Sequence, residues 1–65
     1  GFFEPALQVG EVYSVRIESL SERGEGVAKI DGFVVFVRGG SVGEVLDVRI
    51  EMVKPRFAIA RKLEP

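Results

Sequence analysis

Apolar and polar residues alternate along two stretches of this chain and crowd together in a third. In "EVYSVRIES" (11–19), Tyr13, Val15 and Ile17 fall on one side and Ser14, Arg16 and Glu18 on the other. That period of two predicts a half-buried strand. "VLDVRIEMV" (45–53) repeats it, with Leu46, Val48, Ile50 and Met52 facing in and Asp47, Arg49 and Glu51 facing out. Between them, "VAKI" (27–30) and "FVVFV" (33–37) flank Asp31-Gly32, a dipeptide suited to a two-residue hairpin turn. After "KPRF" turns the chain at Pro55, a poor ladder member, "FAIARKL" (57–63) supplies a fifth strand. The stretches "SERGEG" (21–26) and "RGGSVGE" (38–44) read as loops, and no helical period runs over ten or more residues. Five short strands joined by glycine-rich turns predict an all-β fold: a small five-stranded antiparallel β-barrel of the OB or SH3-like kind. Closure would remove the edges that invite aggregation. An N-terminal tail (1–8) and one barrel domain (9–65) are the expected organisation.

The third stretch raises the functional question, because "FVVFV" is apolar on both faces. A two-residue turn at 31–32 sets Ile30 opposite Phe33, Lys29 opposite Val34, Ala28 opposite Val35 and Val27 opposite Phe36, and opposed residues share a face. Lysine is almost never fully buried without a partner, so the Lys29 face is the outer one. Ile30, Ala28, Phe33, Val35 and Val37 then point inward, and Val27, Lys29, Val34 and Phe36 outward. A bulge at the turn would shift everything by one residue and expose Phe33 instead. In the last strand, Ala58 and Ala60 share one face, and Phe57, Ile59 and Arg61 the other. A cramped barrel interior suits the alanines and leaves Phe57 outside; the reverse assignment makes Phe57 and Ile59 core, and the pattern does not choose. The leading "GFFEPAL" offers Phe2, Phe3 and Leu7 as a cover for Phe36.

Composition narrows the chemistry. The 65 residues contain neither cysteine nor histidine. Disulfides, thiolate zinc sites and histidine-based acid–base pairs are therefore excluded. No cofactor and no metal are expected, and Gly24-x-Gly26 lacks the third glycine and following helix of a dinucleotide fingerprint. An enzyme acting alone is not expected. No apolar stretch approaches the roughly 20 residues of a membrane span, and a cytoplasmic monomer without membrane contact is the expectation. Net charge is only −1, yet residues 53–65 carry Lys54, Arg56, Arg61 and Lys62 against Glu64 alone. A basic end of this kind attracts phosphate even on a slightly acidic protein.

An aromatic ring among basic residues on a small barrel is how single-stranded nucleic acid is commonly held. Any base stacks on the ring, while lysine and arginine neutralise the backbone. The candidate nucleic-acid-binding set is Phe36 and Phe57 as platforms, with Lys29, Arg38, Lys54, Arg56 and Arg61 around them. Arg23 in its glycine-containing loop and Phe33, should the register slip, are secondary candidates. The competing reading is a barrel that docks a protein through the same apolar face.

The order of these parts resembles a TRAM domain, the small β-barrel fused to RNA-modifying enzymes and also found as a stand-alone archaeal protein. The resemblance rests on Ile17 and Leu20, Gly24 and Gly26, the run Val27 to Ile30, Asp31 and Gly32, Phe36 and Val37, Gly43 and Glu44, and Phe57, Ala58 and Ala60. It covers nearly all of the chain after about residue 9. One departure is Arg38, where the family commonly has proline. The resemblance implies binding of RNA (tRNA or other structured or single-stranded RNA) without chemistry on it, in a chaperone role like that of cold-shock proteins. A TRAM domain cut from a larger RNA-modifying enzyme is the alternative it leaves open.

Overall fold

The computed structural model describes residues 7–64. Six strands form one sheet: β1 (Val12–Arg16), β2 (Ser19–Leu20), β3 (Gly26–Ile30), β4 (Phe33–Arg38), β5 (Val45–Val53) and β6 (Phe57–Lys62). Their order across the sheet is β1-β5-β6-β4-β3-β2, and the sheet curls until β1 approaches β3. The all-β barrel-like class is as expected, with two differences. The strand anticipated over 11–19 is broken in two, and β4 pairs with β6 in parallel rather than antiparallel fashion.

The break has a clear cause. The Ile17 N–H donates to the Glu44 carbonyl beside β5, and the next N–H, of Glu18, donates to the Val27 carbonyl in β3. One strand is thus handed from β5 to β3 at a sharp bend, and the handover curls the sheet. The Ile17 side chain, only 1% exposed, fills the inside of this corner. A Cβ on Gly26 would lie 2.9 Å from Ile17 Cδ1, and one on Gly40 would lie 2.8 Å from Ile17 Cγ1. These two glycines have no side chain because Ile17 occupies the space.

The hairpin follows the expected register from Ile30↔Phe33 through Val27↔Phe36. Asp31 at φ 50° and Gly32 at φ 81° occupy the left-handed region at both turn positions, which excludes the one-residue slip. Ala28, Val35, Val37, Ala58 and Ala60 are all fully buried, so the alanine face of β6 is the inner one. With Val15, Ile17, Leu46, Val48 and Ile50, they form the core, and Leu7 joins it. Phe2 and Phe3, the rest of the anticipated cover over Phe36, lie outside the described residues.

β5 corrects one assignment. The first three inward residues of the alternation, Leu46, Val48 and Ile50, are buried, but Met52 is 43% exposed. The register with β6 jumps between Ile50↔Ala60 and Met52↔Ile59. This bulge leaves Glu51 unpaired and turns Met52 to the outer face beside Ile59, while Val53 returns to the core side opposite Ala58.

One polar contact ties the 38–44 loop to the end of β6. The Glu44 carboxylate accepts from Lys62 Nζ at 3.0 Å and from the Ser41 N–H at 3.0 Å. The Lys62 hydrogen bond, then the Ser41 N–H, holds the Glu44 carboxyl below its ordinary value, and the Glu44 hydrogen bond raises Lys62 above its own. A lowered carboxyl stabilises the fold above the unfolded-state value and loses that contribution as pH falls through the folded one. A raised ammonium contributes below the unfolded-state value and fades as pH climbs through the folded one. Stability should therefore sag at both extremes. Melting temperatures recorded across the acid range should show a step that Glu44→Gln removes.

Candidate nucleic-acid interface

Side chains on the outer face of β3, β4 and β6 follow from the register. Phe36 stands between Val27 on β3 and Ile59 on β6, and Ile59 in turn lies beside Met52. One step toward the start of the strands, Val34 lies between Lys29 and Phe57. One step the other way, Arg38 is opposite Arg61, whose other neighbour is Arg49. Each step spans two residues of strand, about 7 Å. An apolar strip of Val27, Phe36, Ile59 and Met52 is thus bordered by arginines along one side and by Lys29 along the other.

Phe36 and Phe57 meet edge to face, their ring centroids 5.5 Å apart and their planes at 73°. Both rings are half-buried, as is Ile59. Beside them opens a groove of about 460 Å³, walled by the two rings, Ile59, and Ser21, Glu22, Arg23 and Glu25 of the loop between β2 and β3.

Arg38 and Arg61 share one carboxylate. Glu51, left unpaired by the bulge, sits 3.8 Å from Arg38 and 3.6 Å from Arg61. At those distances the contacts are ion pairs without hydrogen bonds, and the two arginine side chains remain 64% and 62% exposed. Arg38 and Arg61 face each other directly, and like charges opposed across strands repel. Glu51 offsets that repulsion while leaving both guanidinium forks open to a phosphate.

The structure therefore brings Phe36, Phe57 and Arg23 to one groove and Arg38 and Arg61 to its neighbourhood. Lys29 shares the same outer face, exposed, and Lys54 and Arg56 are exposed in the turn that leads into Phe57. Phe33 is not brought to them: it keeps step with Val35 and Val37 and packs partly against the core. Sequence reasoning left Ser21, Glu25, Ile59 and Met52 out of the site. The polar loop offered a signal in its acids on either side of Gly24, but Met52 offered none, since only the bulge turns it outward.

A small curled β-sheet with turns of this kind belongs to the OB-like barrels. Within them, the chain belongs to the TRAM domain family, whose model matches residues 6–63. It is 47% identical to the ribosomal RNA large subunit methyltransferase E of Methanocella arvoryzae over 98% of its own length and 25% of that enzyme's. The chain thus spans about a quarter of this methyltransferase and of others of that name. An uncharacterized protein of Methanocaldococcus jannaschii is 46% identical over 88% of this chain and 74% of its own. In three dimensions the chain resembles a conserved protein of Methanococcus maripaludis solved in solution, with a TM-score of 0.84 and 39% identity. That match covers 98% of this chain and 99% of the other. No helix among the described residues is long and apolar enough to cross a membrane.

Proposed function

We propose that the outer face of β3, β4 and β6 holds RNA in a sequence-tolerant way and acts as an RNA chaperone. TRAM domains are RNA-binding modules, and the methyltransferase relatives carry ribosomal RNA in their name. The single observation behind the reading is the ring pair opening on a groove with exposed arginines one step along the strands. Bases stack on Phe36 and Phe57, and Lys29, Arg38, Lys54, Arg56 and Arg61 between them neutralise about four phosphates. Such contacts are individually weak, so a strand is held open and released quickly. The chain itself performs no chemistry on the RNA; in a longer protein the same face would grip substrate for a neighbouring catalytic domain. A cytoplasmic setting, where such RNA is met, goes with this reading.

Titration of a labelled mixed-sequence RNA at increasing salt tests it. Neutralising about four phosphates of a single strand predicts a log–log slope near −3, or roughly a 50-fold loss of affinity between about 50 and 200 mM salt. Binding that ignores salt would point to apolar docking of a protein on this face instead, and no binding at low salt would end the RNA reading.

A further inference from the structure

The loop that walls the groove carries a donor and acceptor pattern that the proposed stacking does not use. Its shape is tied down within five residues. The Ser21 N–H donates to the Glu25 carbonyl at 2.8 Å, and the Gly24 N–H donates to the Ser21 carbonyl at 2.9 Å. Ser21 Oγ accepts from the Arg23 N–H at 3.2 Å and from the Glu25 N–H at 3.1 Å. These bonds consume backbone groups and the serine hydroxyl only. Among the described residues, the Arg23 guanidinium and the carboxylates of Glu22 and Glu25 have no hydrogen bond or ion pair. Glu25 is half-buried, at the strand end that leads into Val27, the direct neighbour of Phe36; Glu22 is exposed.

A base lying on Phe36 in this groove turns an edge toward the loop. An acidic wall disfavours phosphate against it, so the group that faces the loop is the base. A carboxylate accepts two hydrogen bonds side by side and donates none. Among the four RNA bases, only guanine offers two adjacent donors, N1–H and the N2 amine, with an acceptor, O6, next to them. Uracil would set its O2 or O4 against the carboxylate. Cytosine and adenine each offer one amine beside a ring nitrogen that also accepts.

We infer that the groove between Phe36 and the 21–25 loop is a guanine subsite, with Glu25 accepting from N1–H and the N2 amine and Arg23 donating to O6. The inference rests on the RNA-binding reading and adds a base preference to it at one position, leaving the remaining contacts sequence-tolerant. A well-placed bidentate pair discriminates between bases by about 5- to 150-fold.

The test is a set of uridine nonamers in which the central residue is guanosine, inosine, adenosine, cytidine or uridine, each titrated against the unmodified chain. Guanosine should bind about tenfold or more tighter than uridine, and inosine, which lacks the N2 amine, should fall between them. Glu25→Gln should bring guanosine to within about twofold of uridine, whereas Glu22→Gln should keep the preference. Equal affinity of all five strands for the unmodified chain overturns the guanine subsite while leaving RNA binding standing. A preference lost in Glu22→Gln but kept in Glu25→Gln overturns the assignment to Glu25. Failure of every strand to bind overturns the subsite and the RNA reading together.

Discussion

Phe36→Ala should weaken RNA binding by about 5- to 150-fold, the loss of roughly 1–3 kcal/mol of base stacking, and Phe57→Ala should do the same. Because the two rings touch edge to face, the double variant should lose less than the sum of the two, the signature of residues acting as one unit. The fold should survive. Both rings stand on the outer face, and the buried set beneath them, Val35, Val37, Ala58 and Ala60, is untouched. Losing one ring removes the pair energy of about 1 kcal/mol and part of the burial of a half-buried ring, together about 2 kcal/mol, visible as a drop in melting temperature with the circular dichroism spectrum unchanged. The salt slope of the residual binding should also be unchanged, since no cation has been removed. A folded variant with unaltered affinity would refute stacking on these rings. Collapse of the fold would show that they belong to the core after all.

The largest effect on stability is expected at the corner. Ile17→Ala should cost about 2–5 kcal/mol, against a total of roughly 3–10 kcal/mol for a domain of this size, leaving much of the population unfolded. Gly26→Ala attacks the same contact from the other side. A new methyl group 2.9 Å from Ile17 Cδ1 and 3.1 Å from its Cγ2 must push the isoleucine off its rotamer, for about 1–3 kcal/mol. The two changes are coupled. Ile17→Val removes Cδ1, the atom nearest the new methyl, so Ile17→Val with Gly26→Ala should be more stable than the two separate losses predict. Gly40→Ala should be rescued less, because its closest clash, 2.8 Å, is with Cγ1, whose place a valine γ-carbon can still fill. Denaturant unfolding of the single and double variants measures this coupling directly. Independent, additive losses would mean that the glycines are not there to make room for Ile17.

The features behind these effects differ in how visible they are in the chain. The Asp31-Gly32 turn specifies its own geometry, because both positions need positive φ and few residue pairs supply it. Once the turn is placed, the alternation assigns Phe36 to the outer face by counting, and Lys29 tells which face is outer. The alanines of β6 were ambiguous in one dimension. They became inner residues only when β6 was slotted between β4 and β5, where the interior leaves no room for Phe57 and Ile59. The segment 21–26 reads in the sequence only as a loop, and it is the curl of the sheet that brings it against the ring pair.

Local chemistry along the chain therefore determined the strands, the hairpin register, the outward Phe36 and the character of the site as rings among cations. Tertiary structure alone decided that β4 runs parallel to β6, that the first strand breaks at Ile17 to pass from one partner to another, and that a bulge carries Met52 outward. It also decided that the polar loop closes the groove. The reason is physical: alternation and turn propensity act between near neighbours, whereas strand pairing, a bulge and a sheet's curvature are set by which distant surfaces fill the same space.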